Sequence, residues 1–195
     1  MSESDPRSPH AGDALLLVDV QHDFLPGGSL AVPDGARVIA PLRRCIALFA
    51  NRALPLFATR DWHPGDHCSF RAQGGPWPEH CVAGSAGAAF ALQLPASTRI
   101  VSKGTHAAQE AYSGFAGTDL ERQLNDESIG RLFVGGLATD YCVAQTVQDA
   151  RRRGFDVVVL RDAIAAVDAH PGDGEHAIER MAQLGAVFLE SAELS

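Results

Sequence analysis

The 195-residue chain is almost without lysine: of its 16 basic residues, all but Lys103 are arginine. Positive charge is scarce overall, 16 Lys and Arg against 24 Asp and Glu, leaving a formal net charge of −8. So acidic a surface repels phosphate backbones and anionic lipid, and argues against nucleic acid and membrane as partners. Long hydrophobic runs are missing too. The longest, such as Ala14–Val18 and Val157–Leu160, are strand-sized and far short of a membrane span. The four cysteines, Cys45, Cys68, Cys81 and Cys142, are too sparse for a disulfide scaffold and lack paired zinc-site spacing. Residues 1–13 contain no apolar stretch of the signal-peptide kind, so the expected setting is the reducing cytoplasm.

Apolar material is plentiful: hydrophobic residues are 46% of the chain, enough for one sizeable core. The expected organisation is a flexible tail over residues 1–12 and one domain over 13–195. Short apolar runs alternate with segments of helical period, the pattern of an α/β doubly wound parallel sheet. Strands are expected at Ala14–Val20, Leu54–Arg60, Arg99–Lys103, Arg131–Gly135, Phe155–Arg161 and Ala186–Glu190. Helices are expected at Ala36–Arg52, Thr118–Asn125, Asp140–Arg153 and Gly174–Leu184. The one long irregular stretch, Asp61 to Pro95, is rich in Gly, Pro, Trp and His, and loops of that length in a compact domain are usually functional.

Polar residues mark the ends of four successive strands. Asp19 closes the first, Asp61 follows the second, Lys103 ends the third, and Cys142 lies just past the fourth. Open α/β sheets bind ligands outside the carboxyl ends of their strands, so that edge is the candidate site. In Gly-Gly-Leu-Ala-Thr-Asp-Tyr-Cys-Val (135–143) a strand turns into a helix, and Cys142 falls in its first turn. There the helix dipole favours a thiolate, and the turn's N–H groups suit an oxyanion hole. The alternative is a small buried hydrophobe, which is also the expected state of Cys45.

Asp61, His63 and His80 form a mixed oxygen and nitrogen donor set suited to zinc, iron or manganese. His67 is either a fourth ligand or a support for the others. Cys68 and Cys81 adjoin these histidines and are expected to pack. Lys103 is either a solvated ammonium or a compact, environment-sensitive cation kept where Arg would not serve. Phe24, Trp77 and Tyr112, in loops beside these residues, could wall a flat ring. Arg151, Arg152 and Arg153 end a helix and suit its dipole.

Six segments in this order resemble the nicotinamidases of the isochorismatase-like cysteine hydrolases. They are Leu-Leu-Val-Asp-Val-Gln-His-Asp-Phe, Asp-Trp-His-Pro-x-x-His, Trp-Pro-x-His-Cys-Val, Lys-Gly-Thr, Tyr-Ser-Gly-Phe and Gly-Leu-Ala-Thr-Asp-Tyr-Cys-Val. The resemblance covers roughly residues 14 to 165. It implies a six-stranded parallel sheet with helices on both faces, and a catalytic triad of Asp19, Lys103 and Cys142. It further implies metal ligands Asp61, His63 and His80, ring walls Phe24, Trp77 and Tyr112, an oxyanion hole from the N–H groups of Ala138 and Cys142, and a cis Leu137–Ala138 bond.

The implied reaction is hydrolysis of nicotinamide to nicotinate and ammonia through a cysteine thioester, in NAD salvage, with pyrazinamide as a co-substrate. One divalent ion, zinc first among the candidates, would serve as a template for the ring. The rival chemistries are a metal-bound water as nucleophile and a related amidase acting on another small amide. A non-enzymatic, metal-stabilised interaction domain has no use for a lone lysine at a strand end. Either a monomer or a homo-oligomer is compatible with the sequence.

Overall fold

In the computed structural model, residues 5–195 are described. Six parallel strands form one sheet in the order β3-β2-β1-β4-β5-β6. They are β1 (Asp13–Val18), β2 (Leu56–Asp61), β3 (Arg99–Lys103), β4 (Arg131–Leu137), β5 (Asp156–Ala165) and β6 (Val187–Leu189). Four helices connect them: α1 (Ile39–Asn51), α2 (Leu120–Asp126), α3 (Ala144–Arg152) and α4 (Asp173–Gln183). The doubly wound, six-stranded sheet expected from the sequence is therefore present.

Alternation along β1 divides the core. Ala14, Leu16 and Val18 pack with Leu120 and Leu124 of α2, Val147 and Ala150 of α3, and Ala177 and Met181 of α4. Leu15 and Leu17 point the other way, onto Leu42, Cys45, Ile46 and Phe49 of α1. Both faces of β1 are buried, which is why it reads as a continuous apolar run. Cys45 is one of the packed hydrophobes, and burial pushes its thiol up to about 12.

The chain begins in the middle of the sheet, builds outward to β3, then returns to place β4 on the other side of β1. The switch point thus falls between β1 and β4, at the carboxyl ends that carry Asp19 and the segment leading to Cys142. Ligands of such sheets bind at that crevice.

Several boundaries differ from expectation. β1 stops at Val18 because Asp19 turns to φ 50°, although its N–H still bonds to the Thr59 carbonyl at 3.2 Å. β5 runs past the charged pair Arg161 and Asp162 to Ala165, its pairing with β4 shifted by an irregularity after Val134. The helix expected from Ala36 begins as a 3-10 turn over Gly35–Val38 and becomes α-helical only at Ile39. Of the tail expected over 1–12, residues 1–4 lie outside the described residues. Nearer the domain, Pro9 is buried and its carbonyl accepts Arg52 Nη1, while Gly12 O accepts the N–H of Gly130. Among the described residues no helix is long and apolar enough to cross a membrane.

Candidate active site

Asp19, Asp61 and Lys103 leave the ends of three adjacent strands and converge with their charged atoms buried. Lys103 Nζ lies 2.9 Å from Asp19 Oδ2 and 2.5 Å from Asp61 Oδ1. It also lies 3.4 Å from Cys142 Sγ and 3.0 Å from the Ala111 carbonyl. The lone lysine is thus the hub of the site and not a solvated ammonium. Asp19 is held from its other side by Thr59, whose hydroxyl donates to Oδ1 at 2.6 Å. Its Oδ2 is ion-paired with Lys103 without the alignment of a hydrogen bond.

Burial and charge set the protons. Burial alone would lower the Lys103 pKa, but Asp19, Asp61 and Cys142 outweigh it and hold the ammonium charged. Burial raises Asp19, and neighbouring Asp61 adds to that against the pull of Lys103, so its carboxyl binds a proton more readily than an ordinary Asp. Asp61 goes the other way: Lys103 and His63 overcome its burial and keep it ionised. At Cys142 the helix dipole's preference for a thiolate does not prevail. Burial pushes the thiol well above the usual range; Lys103 pulls it down, while Asp19 and Asp61 add to the rise. Cys142 therefore rests as a protonated thiol beside a carboxyl able to take that proton.

Cys142 does not sit in an ordinary helical first turn. Thr139–Val143 form a wide π turn in which the Val143 N–H reaches back to the Ala138 carbonyl, and α3 starts after it. Such turns are frequent at functional sites. The Leu137–Ala138 bond before it is cis, as the resemblance implies.

Asp61, His63 and His80 each offer one atom, all within 4.8 Å of one another. His63 Nδ1 meets the Gly104 carbonyl at 2.9 Å and His80 Nδ1 the Pro78 carbonyl at 2.8 Å, which leaves both Nε2 atoms as donors. This outer support is the usual device for aiming imidazoles at a metal. Burial lowers the His80 pKa, favouring the neutral ring that ligates. Gly104 is required here: at φ +62° an added Cβ would fall 2.4 Å from His63 Cε1. The donor set therefore fits a divalent metal of the zinc class. His67 lies outside the group of atoms gathered within 4.8 Å. Its Nδ1 faces Ser69 Oγ at 2.7 Å, its Nε2 faces the Gln109 carbonyl at 3.1 Å, and its ring stacks on His63.

A pocket opens beside Cys142 between Phe24, Trp77, His80 and Tyr112, so the three expected ring walls are together. Trp77 Nε1 donates to Tyr112 Oη at 3.0 Å and fixes both rings. Sequence reasoning missed Tyr141, which closes the pocket edge-on to Trp77 with ring centroids 5.2 Å apart. Its adjacency to Cys142 was the available signal. Gln21 was missed as well: fully buried, its amide bonds to both the N–H and the carbonyl of Asp61, each at 2.8 Å. The same Nε2 also donates to the Ala88 carbonyl at 2.9 Å. Cys68 and Cys81 contribute no donor atom, and Cys81 instead lends its carbonyl to the His63 N–H at 3.0 Å.

A parallel α/β sheet with an acid, a lysine and a cysteine converging beyond the carboxyl ends of its strands defines a cysteine hydrolase of isochorismatase type. The Isochorismatase domain family matches residues 13–193, and the chain belongs to that family. Within it the chain is similar to several nicotinamidases and pyrazinamidases, and also to a streptothricin hydrolase and an N-carbamoylsarcosine amidase. The curated nicotinamidase of Escherichia coli (strain K12) is 37% identical, covering 92% of this chain and 95% of its own. The pyrazinamidase of Pyrococcus horikoshii, solved in complex with zinc, superposes with a TM-score of 0.89 at 45% identity, over 92% and 99% of the two chains. PnC1 from L. infantum, solved with nicotinate, gives 0.81 at 38% identity, over 95% and 96%.

Proposed function

We propose that this chain is a nicotinamidase that hydrolyses nicotinamide to nicotinate and ammonia in NAD salvage, and deamidates pyrazinamide as well. The observation that carries the mechanism is the Lys103 ammonium set among Asp19, Asp61 and Cys142 at 2.9, 2.5 and 3.4 Å. Asp19 takes the thiol proton of Cys142 as Sγ attacks the amide carbon. The N–H groups of Ala138 and Cys142 receive the oxyanion. Asp19 then returns its proton to the leaving nitrogen, the C–N bond breaks, and ammonia departs from a Cys142 thioester. Asp19 next draws a proton from water as the water oxygen attacks the thioester carbonyl; the S–C bond then breaks, Asp19 passes that proton to Sγ, and nicotinate leaves with the thiol restored.

Lys103 stays charged throughout, balancing the proton-poor states of Asp19 and Cys142. Phe24, Trp77 and Tyr112 flank the ring. Asp61, His63 and His80 would hold the metal, zinc first among the candidates. The chemistry such an ion supplies there is an electrophilic anchor for the pyridine nitrogen, distinct from a source of hydroxide. Four free cysteines suit a reducing, cytoplasmic setting.

The test is ammonia release from nicotinamide and pyrazinamide by the purified protein, with metal analysis of the same sample. Release from both, with about one divalent ion per chain as the donor set requires, supports the proposal. Turnover of other small amides but neither of these two would make the chain a different amidase of the same fold.

A further inference from the structure

The loop after β5 reaches the pocket through a contact that the mechanism does not use. Asp140 lies two residues before Cys142, and its two carboxylate oxygens accept consecutive backbone N–H groups from that loop. Oδ1 takes Val167 N–H and Oδ2 takes Asp168 N–H, each at 2.9 Å. Charged acceptors make the stronger class of hydrogen bond, and a pair fixes orientation as well as distance. The loop is pinned on its far side too. Asp168 stands at φ 51°, and its own carboxylate accepts the Gly174 N–H at 2.8 Å, at the start of α4. Gly174 allows the close approach: a Cβ there would fall 2.6 Å from that of Ala166. Between these anchors Val167 is left as an apolar wall of the pocket that Tyr141 and Cys142 also line.

Resting on the nicotinamidase reading, we propose that Asp140 is a positioning residue that latches Val167 over the pocket. Val167 in turn sets the selectivity for small, unsubstituted heteroaromatic carboxamides over ring-substituted ones. The latch links the nucleophile's turn directly to the substrate wall, so a loosened loop costs ring binding before it costs bond-breaking. A carboxylate serving only the dipole of α3 would leave the wall untouched.

The experiment measures kcat and KM for nicotinamide and 5-methylnicotinamide in wild type, Asp140→Ala, Asp140→Asn and Val167→Ala. Amide exchange at Val167 and Asp168 and the Tm are recorded on the same proteins. Asp140→Ala is expected to raise KM for nicotinamide roughly tenfold, equivalent to about 1.4 kcal/mol. Its kcat should stay within about threefold, as for loss of uniform binding, and exchange at both amides should accelerate. Asp140→Asn keeps one acceptor oxygen and should recover part of KM; it also keeps the test open should the alanine variant fail to fold. Val167→Ala should narrow the preference for nicotinamide over its methyl derivative by about tenfold, the value of one methyl-sized misfit in an apolar pocket.

Unchanged KM and exchange in both Asp140 variants would overturn the latch. So would a parallel fall of kcat, 1/KM and Tm in both, the mark of a merely structural residue. An unchanged preference in Val167→Ala would overturn its selective role. Wild type inactive on nicotinamide would sink the nicotinamidase reading instead, and the exchange data would still decide the latch.

Discussion

Asp61 Oδ1 lies 2.5 Å from Lys103 Nζ, so the candidate donor set and the ion-paired cluster beside Cys142 share one carboxylate. Asp61 Oδ2 faces the other way, 3.7 Å from His63 Nε2. The two halves of the site are thereby electrostatically continuous. Isolated in the interior, either carboxylate would be costly; removing one partner of a buried pair typically destabilises by about 3–5 kcal/mol.

Asp19→Asn should separate ionisation of the thiol from catalysis. The Asp19 carboxylate beside it raises the Cys142 pKa. Its removal should move thiolate formation, followed by ultraviolet absorbance or alkylation rate against pH, to lower pH. kcat should nonetheless fall by about 10²–10⁴-fold, the contribution of one general acid–base group. A thiol pKa unchanged or raised in this variant would contradict the proton assignment.

His80→Ala should lose bound metal and raise the KM for nicotinamide, since its imidazole is both donor and pocket wall. Cys142 should still react with an alkylating probe, because the Lys103 cluster does not include His80. Metal content and KM both at wild-type levels would show the donor set to be wrong.

Gly104→Ala is a backbone test of the same centre. The added Cβ meets the His63 ring, and φ +62° is strained for alanine. We expect a loss of about 1–3 kcal/mol of stability, the usual cost of a disfavoured backbone region. Reduced metal occupancy should accompany it, read by denaturant unfolding and metal analysis. A variant as stable as wild type with full metal would mean that His63 can tilt away and still ligate.

The sheet and most of the site were readable in the sequence because both depend on local pattern. Apolar runs bounded by Asp19, Asp61 and Lys103 mark strand ends directly, and an alternating strand–helix order dictates a parallel sheet. The spacing of Asp61, His63 and His80 exposed the donor set for the same reason. What was hidden depends on contacts between distant segments. Gln21 looks like one polar residue after a strand, and only the fold brings the Asp61 backbone to its amide 40 residues on. Thr59 looks like an ordinary strand residue until Asp19 is opposite it. His67 kept two readings because its spacing suits ligation, and the Ser69 and Gln109 contacts that occupy its ring appear only in three dimensions. The helix dipole alone favours a Cys142 thiolate; burial, which only the fold creates, and two carboxylates converging from other strands push the thiol the other way.

The most direct test of the central claim, that Cys142 and not a metal-activated water attacks the amide, is mass spectrometry of acid-quenched enzyme during nicotinamide turnover. Wild type should carry a nicotinoyl group on the peptide containing Cys142. Cys142→Ala should carry none and release no ammonia, while retaining its metal. A metal-loaded Cys142→Ala protein that still turns over at near wild-type rate would contradict the claim outright.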